Sequence, residues 1–482
     1  MTSTEASPAD TASVFQLFAR PVLPATLMLG GGVTLYAVET YIMATIAPSI
    51  VRDIGGLPLL FWVTTLYVAA AVLGSIFVAM RPRGTGLRTV YVAGAVMFAA
   101  GSLICGLAPS MPVVLVGRAV QGFGAGALAA LSYAFIRFVY PEPLWRKAST
   151  LYAAIWGVST LLGPSLGGLF SDGSDWRHAF MLIVPVGVIM ALLGPLLLPA
   201  ATDDRAAGKT PVPQIALLIA AVILVSLAGT VEATRTKALL IGASIIAAGL
   251  MLAIEKRSEN RLLPTGAVTL GNPLARVYLI IFTLMLVLTS DIYIPYFLQT
   301  LHGITPLESG YLTALVALGW TLAAFFSGTL SGRRARRAIV AGCVLETIAA
   351  ASLAVFLARD NQGGSLAILS PAVAGMFLMG FGVGMAWAHL ITKILRIVEK
   401  AEQDKASAAI TTVQSLGSAF GAALAGVIVN STGLVTPGGI EGGVSAAHWL
   451  FALMALPGIL TVVASLSIRA SGDQAEARQA AA

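Results

Sequence analysis

Charge is scarce in this sequence. Asp, Glu, Lys and Arg make up 11% of the 482 residues, while apolar types make up 57%. A soluble domain carries about 25% charged residues, so a water-facing surface cannot be covered here and a soluble globular protein is excluded. Intrinsic disorder is excluded too, because disordered chains are poor in apolar residues. Cysteine is nearly absent: Cys105 and Cys343 both lie in apolar stretches, with no metal-ligand spacing and no evident disulfide partner. Histidine occurs only four times, and neither a Ser-His-Asp set nor a paired-His metal site can be assembled. No G-x-x-x-x-G-K-S/T string is present, which argues against an ATP-driven pump. No metal or cofactor is expected.

What is abundant is long apolar runs. The hydrocarbon core is about 30 Å thick and needs roughly 20 mostly apolar residues to cross. Such runs fall near 22–51, 58–80, 88–107, 112–138, 146–170 and 179–199, then near 274–300, 308–331, 337–357, 367–392, 406–430 and 447–469. Two shorter runs lie between these sets, near 214–231 and 238–255. The expected fold is therefore an all-α polytopic membrane protein with 14 transmembrane helices. The alternative treats both short runs as non-crossing, leaving 12 helices and a long cytoplasmic loop. The polar segment before the first run lacks a signal-peptide layout, so that run is read as a retained helix.

The net charge of +7 could suggest nucleic acid, but the positions of the charges argue against it. Most basic residues cluster in alternate loops, as membrane topology requires. One set holds Arg81, Arg83, Arg137, Lys147, Arg205, Lys209, Arg333, Arg334, Arg336, Arg337, Lys393 and Lys400, while the opposite loops hold few. This predicts a multi-pass protein of the cell (inner) membrane with both termini cytoplasmic.

The sequence also repeats itself. Glu39-Thr40-Tyr41-Ile42 is echoed by Asp291-Ile292-Tyr293-Ile294, and Gly122-Phe123-Gly124-Ala125-Gly126 by Gly380-Phe381-Gly382-Val383-Gly384. Gly163-Pro164-Ser165-Leu166-Gly167 is echoed by Gly417-Ser418-Ala419-Phe420-Gly421. The offsets are 252, 258 and 254, which suggests two six-helix halves of parallel orientation. The expected divisions are a cytoplasmic tail 1–21, a bundle 22–199, a linker 200–273 carrying the two inserted helices, a bundle 274–469 and a tail 470–482. Parallel repeats are one transporter layout, with the site expected between the halves near the midplane.

The strings themselves resemble motifs of the major facilitator superfamily, specifically its fourteen-helix drug:proton antiporter branch. Arg118 through Gly124 matches the helix-four pattern R-x-x-Q-G-x-G. Gly163-Pro164-Ser165-Leu166-Gly167-Gly168 is similar to the core of the helix-five antiporter motif, and Trp176-Arg177-His178-Ala179-Phe180 to the helix-six stretch. Glu39 stands where the branch carries an acidic residue in its first helix. The sequence departs from the family after helix two, where Val78 replaces the customary Asp of the cytoplasmic gating pair. Gly328 through Arg334 likewise lacks that Asp in the second half.

Four ionisable residues fall inside the expected spans: Glu39, Arg118, Asp291 and Glu346. Translocon scales put an Asp, Lys or Arg at a helix centre at roughly 2.5–3.5 kcal/mol unfavourable, so intramembrane charges are functional candidates by default. Glu39 and Asp291 fit proton uptake and release and the binding of a lipophilic cation. Tyr36, Tyr41, Phe123 and Tyr293 could add aromatic faces for that cation. The resemblance implies a proton-relay role for Arg118 and a peripheral helix for Glu346. The structural alternatives are that Glu39 pairs with an arginine that merely locks two helices, that Asp291 is solvated or caps a helix, and that Arg118 is a clamp. Gly122, Gly124, Gly163, Pro164, Gly167 and Gly168 would allow close helix approach and a bend, in service of conformational change or of packing alone. His389 is read as interfacial.

The expected function is proton-coupled export of lipophilic, cationic compounds by alternating access. The alternatives are export of a lipid or endogenous metabolite on the same fold, or, with less support, a membrane-embedded enzyme or receptor. The expected partners are a small lipophilic substrate, protons as the coupling ion and membrane lipids, with no nucleic acid and a monomeric state.

Overall fold

The computed structural model describes residues 14–80, 85–171, 176–200, 211–269, 271–399 and 402–468. The loop arginines Arg81 and Arg83, the linker residues Arg205 and Lys209, Lys400, and most of both expected tails lie outside the described residues.

The helices follow the apolar runs closely. They are α1 (Leu23–Ile54), α2 (Leu60–Met80), α3 (Leu87–Gly106), α4 (Met111–Val139), α5 (Glu142–Leu169) and α6 (Trp176–Leu197). The two shorter runs form α7 (Val212–Ala228) and α8 (Thr234–Arg257). Then come α9 (Pro273–Leu288), α10 (Ile294–Leu301), α11 (Pro306–Ser327), α12 (Gly332–Phe356), α13 (Leu366–Ile397), α14 (Gln403–Ser431) and α15 (Gly439–Leu466). Proline stands in the first turn of α1, α4, α5, α7, α9 and α11, where its missing N–H costs nothing and its φ is already helical. Thr305 and Glu308 form a reciprocal cap at the start of α11, and the Asn272 side chain accepts from Leu274 N–H at α9.

Eleven helices among the described residues are long and apolar enough to cross a bilayer, or twelve with α1, which is bent by 56° between Met43 and Thr45. Two further apolar helices, Ala154–Leu169 and Val212–Ala228, are shorter. The ninth run differs from expectation, because a 3-10 turn at Thr289–Tyr293 separates α9 from α10. The Pro295 ring follows at the start of α10, where it cannot donate to the turn before it.

The chain divides into two compact units, Met1–Gly55 with Leu66–Gly208, and Gly56–Thr65 with Lys209–Ala482. In the first, α3 packs on α4 and α6, and α1 on α4, α5 and α6. In the second, α13 packs on α11 and α12, α12 on α15, and α9 on α13, α14 and α15. The inserted helices α7 and α8 pack on each other, and α7 also packs on α14. The Ser244 hydroxyl of α8 donates to the Ala221 carbonyl of α7. The second unit's core gathers Ile281, Met285, Ile339, Cys343, Val383 and Leu390.

The glycine strings do the same packing in each unit. A methyl on Gly122 or Gly126 of α4 would overlap the carbonyl of Tyr67 or Ala71 on α2, and one on Gly124 would press on Gly94 and Phe98 of α3. In the second unit, Gly380 and Gly384 of α13 lie against the Val316 and Trp320 carbonyls of α11, and Gly382 against Gly342 and Glu346 of α12. Small residues at four-residue spacing let helix backbones touch where lipid supplies no hydrophobic drive.

The same comparison moves the acidic pair out of register. Gly163 and Gly167 of α5 rest on Tyr41 and on the Ile42 carbonyl of α1, while Gly417 and Gly421 of α14 rest on Met285 and on the Leu286 carbonyl of α9. By packing, the stretch of α9 that matches Glu39 falls at Ile280–Thr283 and not at Asp291. Asp291 lies about two to three turns further along, inside the 3-10 turn. The sequence offset missed this because it aligned the two acids and not the glycines' partners.

Candidate functional site

The first unit holds a buried charge pair. Glu39, from α1, is 0% exposed, and Arg118, seven residues into α4, is 1% exposed. Arg118 Nη1 stands 2.6 Å from Glu39 Oε1 and donates to Gln121 Oε1 at 2.7 Å. Gln121 Nε2 in turn donates to Ser102 Oγ at 2.8 Å, and Ser102 Oγ donates to the Phe98 carbonyl at 2.8 Å. Arg118 and Gln121 are three apart on α4, hence on one face. The chain of bonds thus runs from α1 through α4 to α3. Glu39 Oε2 has no hydrogen-bond partner among the described residues.

Aromatic rings border the pair. The Arg118 guanidinium lies 4.0 Å from the Tyr67 ring centroid, within cation–π range. Tyr36 stacks on Tyr67 at 5.7 Å and meets Trp156 edge-on at 5.5 Å. Tyr41 also meets Trp156 edge-on, at 6.5 Å. The sequence singled out Tyr36 and Tyr41. It gave no signal for Tyr67 or Trp156, because an aromatic residue in an apolar helix has no distinguishing neighbour pattern. Gln121 and Ser102 were missed as site residues, although Gln121 stands in the quoted motif and its spacing from Arg118 could have found it.

Removing two charges from water costs several kcal/mol per ion, and the loss is offset only where the ions pair closely and are further hydrogen-bonded. Arg118 meets that condition through Glu39, Gln121 and Tyr67. A proton delivered to Glu39 would cancel its charge and release its hold on Arg118. The bare Oε2 is the atom that could take it.

The other expected residues are placed as follows. Phe123 packs on Phe77 at 5.7 Å, and no ring contact joins it to the charge pair among the described residues. Asp291 is partly exposed in the 3-10 turn, and among the described residues no basic side chain pairs with it. Tyr293 is fully buried and stacks on Phe297 at 6.0 Å. Glu346 is fully buried on α12, with neither carboxyl oxygen partnered among the described residues. Gly163 and Gly167 set the approach of α5 to α1. Pro164 lies inside α5 without ending it, and the Gly168 carbonyl accepts from Ser171 Oγ at 2.8 Å. Val78 is buried in α2.

Two polar groups outside the expected set hold loops. Asp53 at the end of α1 accepts from Trp176 Nε1 at 3.0 Å and pairs with Arg177, which gives the helix-six stretch a structural task. Glu255 at the end of α8 is 1% exposed and accepts from the Leu262 and Leu263 N–H groups and from Gln214. It ties the connection after α8 to the inserted pair.

The Major Facilitator Superfamily model matches residues 28–370 and 277–481. The chain is 33% identical over 459 residues to a protein of Mycobacterium tuberculosis (strain ATCC 25618 / H37Rv) named "Probable multidrug-efflux transporter", covering 94% of this chain and 96% of that one. It is 24% identical over 413 residues to "Multidrug resistance protein 3" of Bacillus subtilis (strain 168), covering 82% and 77%. Among solved structures, a POT family transporter in complex with 5-aminolevulinic acid has a TM-score of 0.66 at 15% identity, covering 95% of this chain and 99% of that one. A D-xylose-proton symporter has a TM-score of 0.65 at 15% identity, covering 93% and 98%.

Proposed function

The chain belongs to the major facilitator superfamily, and from that premise we propose that it exports lipophilic cationic drugs in exchange for protons, by alternating access, with Glu39 as the proton-carrying group. Membership makes it a transporter and not an enzyme. The names of the M. tuberculosis and B. subtilis relatives support drug efflux. The observation that carries the proton assignment is the buried Glu39–Arg118 pair, in which one carboxylate oxygen is bound at 2.6 Å and the other is bare.

In this reading, ionised Glu39 and the rings of Tyr36, Tyr67 and Trp156 favour a cation when the site faces the cytoplasm. A proton entering from outside neutralises Glu39 and displaces the cation. A one-for-one exchange of a proton for a monovalent cation moves no net charge, so the pH difference across the membrane drives it, at about 1.4 kcal/mol per pH unit. Fourteen crossings, with α5 and α7 spanning in spite of their short apolar stretches, keep both ends of the chain cytoplasmic, in the cell membrane. Asp291, partly exposed and unmatched by a cation among the described residues, serves in substrate binding and not in proton transfer.

The test is uptake of a fluorescent cationic dye into inverted vesicles. An imposed proton gradient, acid inside, is expected to drive accumulation that collapses when a protonophore is added. Equal accumulation with and without the gradient overturns the proposal.

A further inference from the structure

A separate cavity in the second unit has a different chemistry. Its volume is about 210 Å³, below the roughly 300–1,000 Å³ of pockets for drug-sized molecules. It lies where α11 ends, α12 begins and α13 nears its end. Arg336, Lys393 and Arg396 line it, and none of its lining residues is acidic. Lys393 and Arg396 are three apart on α13, so both present to one face, and Lys393 feels the repulsion of both arginines. With no acidic residue among the described lining, the three cations repel one another there, although Arg336 Nη2 also donates to the Leu466 carbonyl at 3.1 Å.

Two further features point the same way. The first turn of α12 borders the cavity through Ser331, Gly332 and Ala335. Ser331 makes no side-chain cap, and nothing lies within 4 Å of where a Gly332 side chain would stand. An uncapped helix start favours negative charge. His389, which also lines the cavity, is 9% exposed and has no partner for Nε2 among the described residues. It supplies a buried polar group beside the cations.

We propose that this cavity binds a phosphate group, carried by an anionic membrane lipid, between Arg336, Lys393 and Arg396. The surface beside it suits acyl chains: Phe325 is 77% exposed and Phe326 66% exposed, just before the cavity residue Gly328. Basic pockets between helices at the cytoplasmic face hold lipid headgroups in this way. The phosphate could also come free from solution, and the test separates the two sources.

The experiment measures the unfolding temperature of the full chain in detergent, with dioctanoyl phosphatidylglycerol, dioctanoyl phosphatidylcholine or inorganic phosphate added. The comparison includes Arg336→Gln, the double change Lys393→Gln/Arg396→Gln, and Arg359→Gln as an exposed basic control. Saturable stabilisation is expected from phosphatidylglycerol and not from phosphatidylcholine. Its apparent affinity should fall about tenfold or more in the double variant and stay unchanged in Arg359→Gln. An equal response to inorganic phosphate would keep the site and assign it to the free anion. Equal stabilisation by both lipids, no response to any anion, or wild-type affinity in the double variant would overturn the proposal. If the double variant does not fold, the comparison of lipids on wild type and Arg336→Gln decides by the same criteria.

Discussion

Arg118 Nη1 binds two acceptors at once, Glu39 Oε1 at 2.6 Å and Gln121 Oε1 at 2.7 Å, and so joins α1 to α4 through one buried nitrogen. The two acceptors differ in what they can become. Gln121 is neutral at every pH, whereas Glu39 can change charge. The charged part of the α1–α4 tie therefore depends on the protonation of a single carboxyl group, while Ser132 Oγ of α4 donates to the Leu29 carbonyl of α1 at 2.8 Å whatever the pH.

That dependence predicts strong coupling between the two side chains. Arg118→Met leaves a buried carboxylate alone, and breaking a buried pair costs about 3–5 kcal/mol. Adding Glu39→Gln to Arg118→Met removes the stranded charge and should recover much of that loss. Unfolding free energies of the two single variants and the double variant, measured in detergent, check this. Additive losses would mean that the pair does not act as a unit.

The glycine packing predicts a sharp contrast between two equally small changes. Gly126→Ala places a methyl into the Ala71 carbonyl, where backbone meets backbone and neither can yield cheaply. Gly157→Ala meets nothing within 4 Å, and should be neutral or stabilise by up to about 1 kcal/mol. Expression level and unfolding temperature of the two variants are the measurement. Similar values for both would contradict the close approach of α4 to α2.

Asp291 stands apart from any cation among the described residues and about two to three turns beyond the stretch that matches Glu39. Asp291→Asn is expected to leave proton-driven transport of a neutral lipophilic substrate intact and to raise KM for cationic dyes. A loss of proton coupling for every substrate would show that Asp291 carries the proton after all.

His302 lies between the spans and gives a pH signature. Its Nε2 is 3.0 Å from the Leu357 carbonyl and its Nδ1 is 3.2 Å from Asn361 Nδ2. Burial holds the imidazole below its ordinary value, so the unfolded chain takes up the proton at a higher pH than the folded one. The contribution of His302 to stability is therefore complete above pH about 6.5 and is lost as the pH falls below it. Unfolding temperatures from pH 8 to 5 should drop more steeply for wild type than for His302→Gln. Parallel curves would contradict this.

Much of the fold was legible because the apolar runs are long and the charged loops short. Helices α1 to α9 and α11 to α15 begin or end within a few residues of those runs, except that α15 starts earlier, at Gly439. The break at Thr289–Tyr293 carried two signals, the polar string Thr289-Ser290-Asp291 and Pro295, but the apolar residues on either side let the run read as one helix. At the site, the acid and the arginine stood out because charge in lipid is rare. A pair between Glu39 and an arginine was among the readings the sequence allowed, and Arg118 is that partner. Tyr67 and Trp156 were hidden among other apolar residues, and Gly332 beside the basic cavity showed only as a missing Asp.

The central claim is that Glu39 carries the coupling proton. The most direct measurement compares wild type and Glu39→Gln in proteoliposomes, both for dye uptake driven by a proton gradient and for downhill exchange of labelled dye without one. The account predicts that Glu39→Gln abolishes the driven uptake and weakens the exchange as well, because a neutral side chain at 39 no longer holds the cation. Driven uptake at the wild-type rate in Glu39→Gln would contradict it.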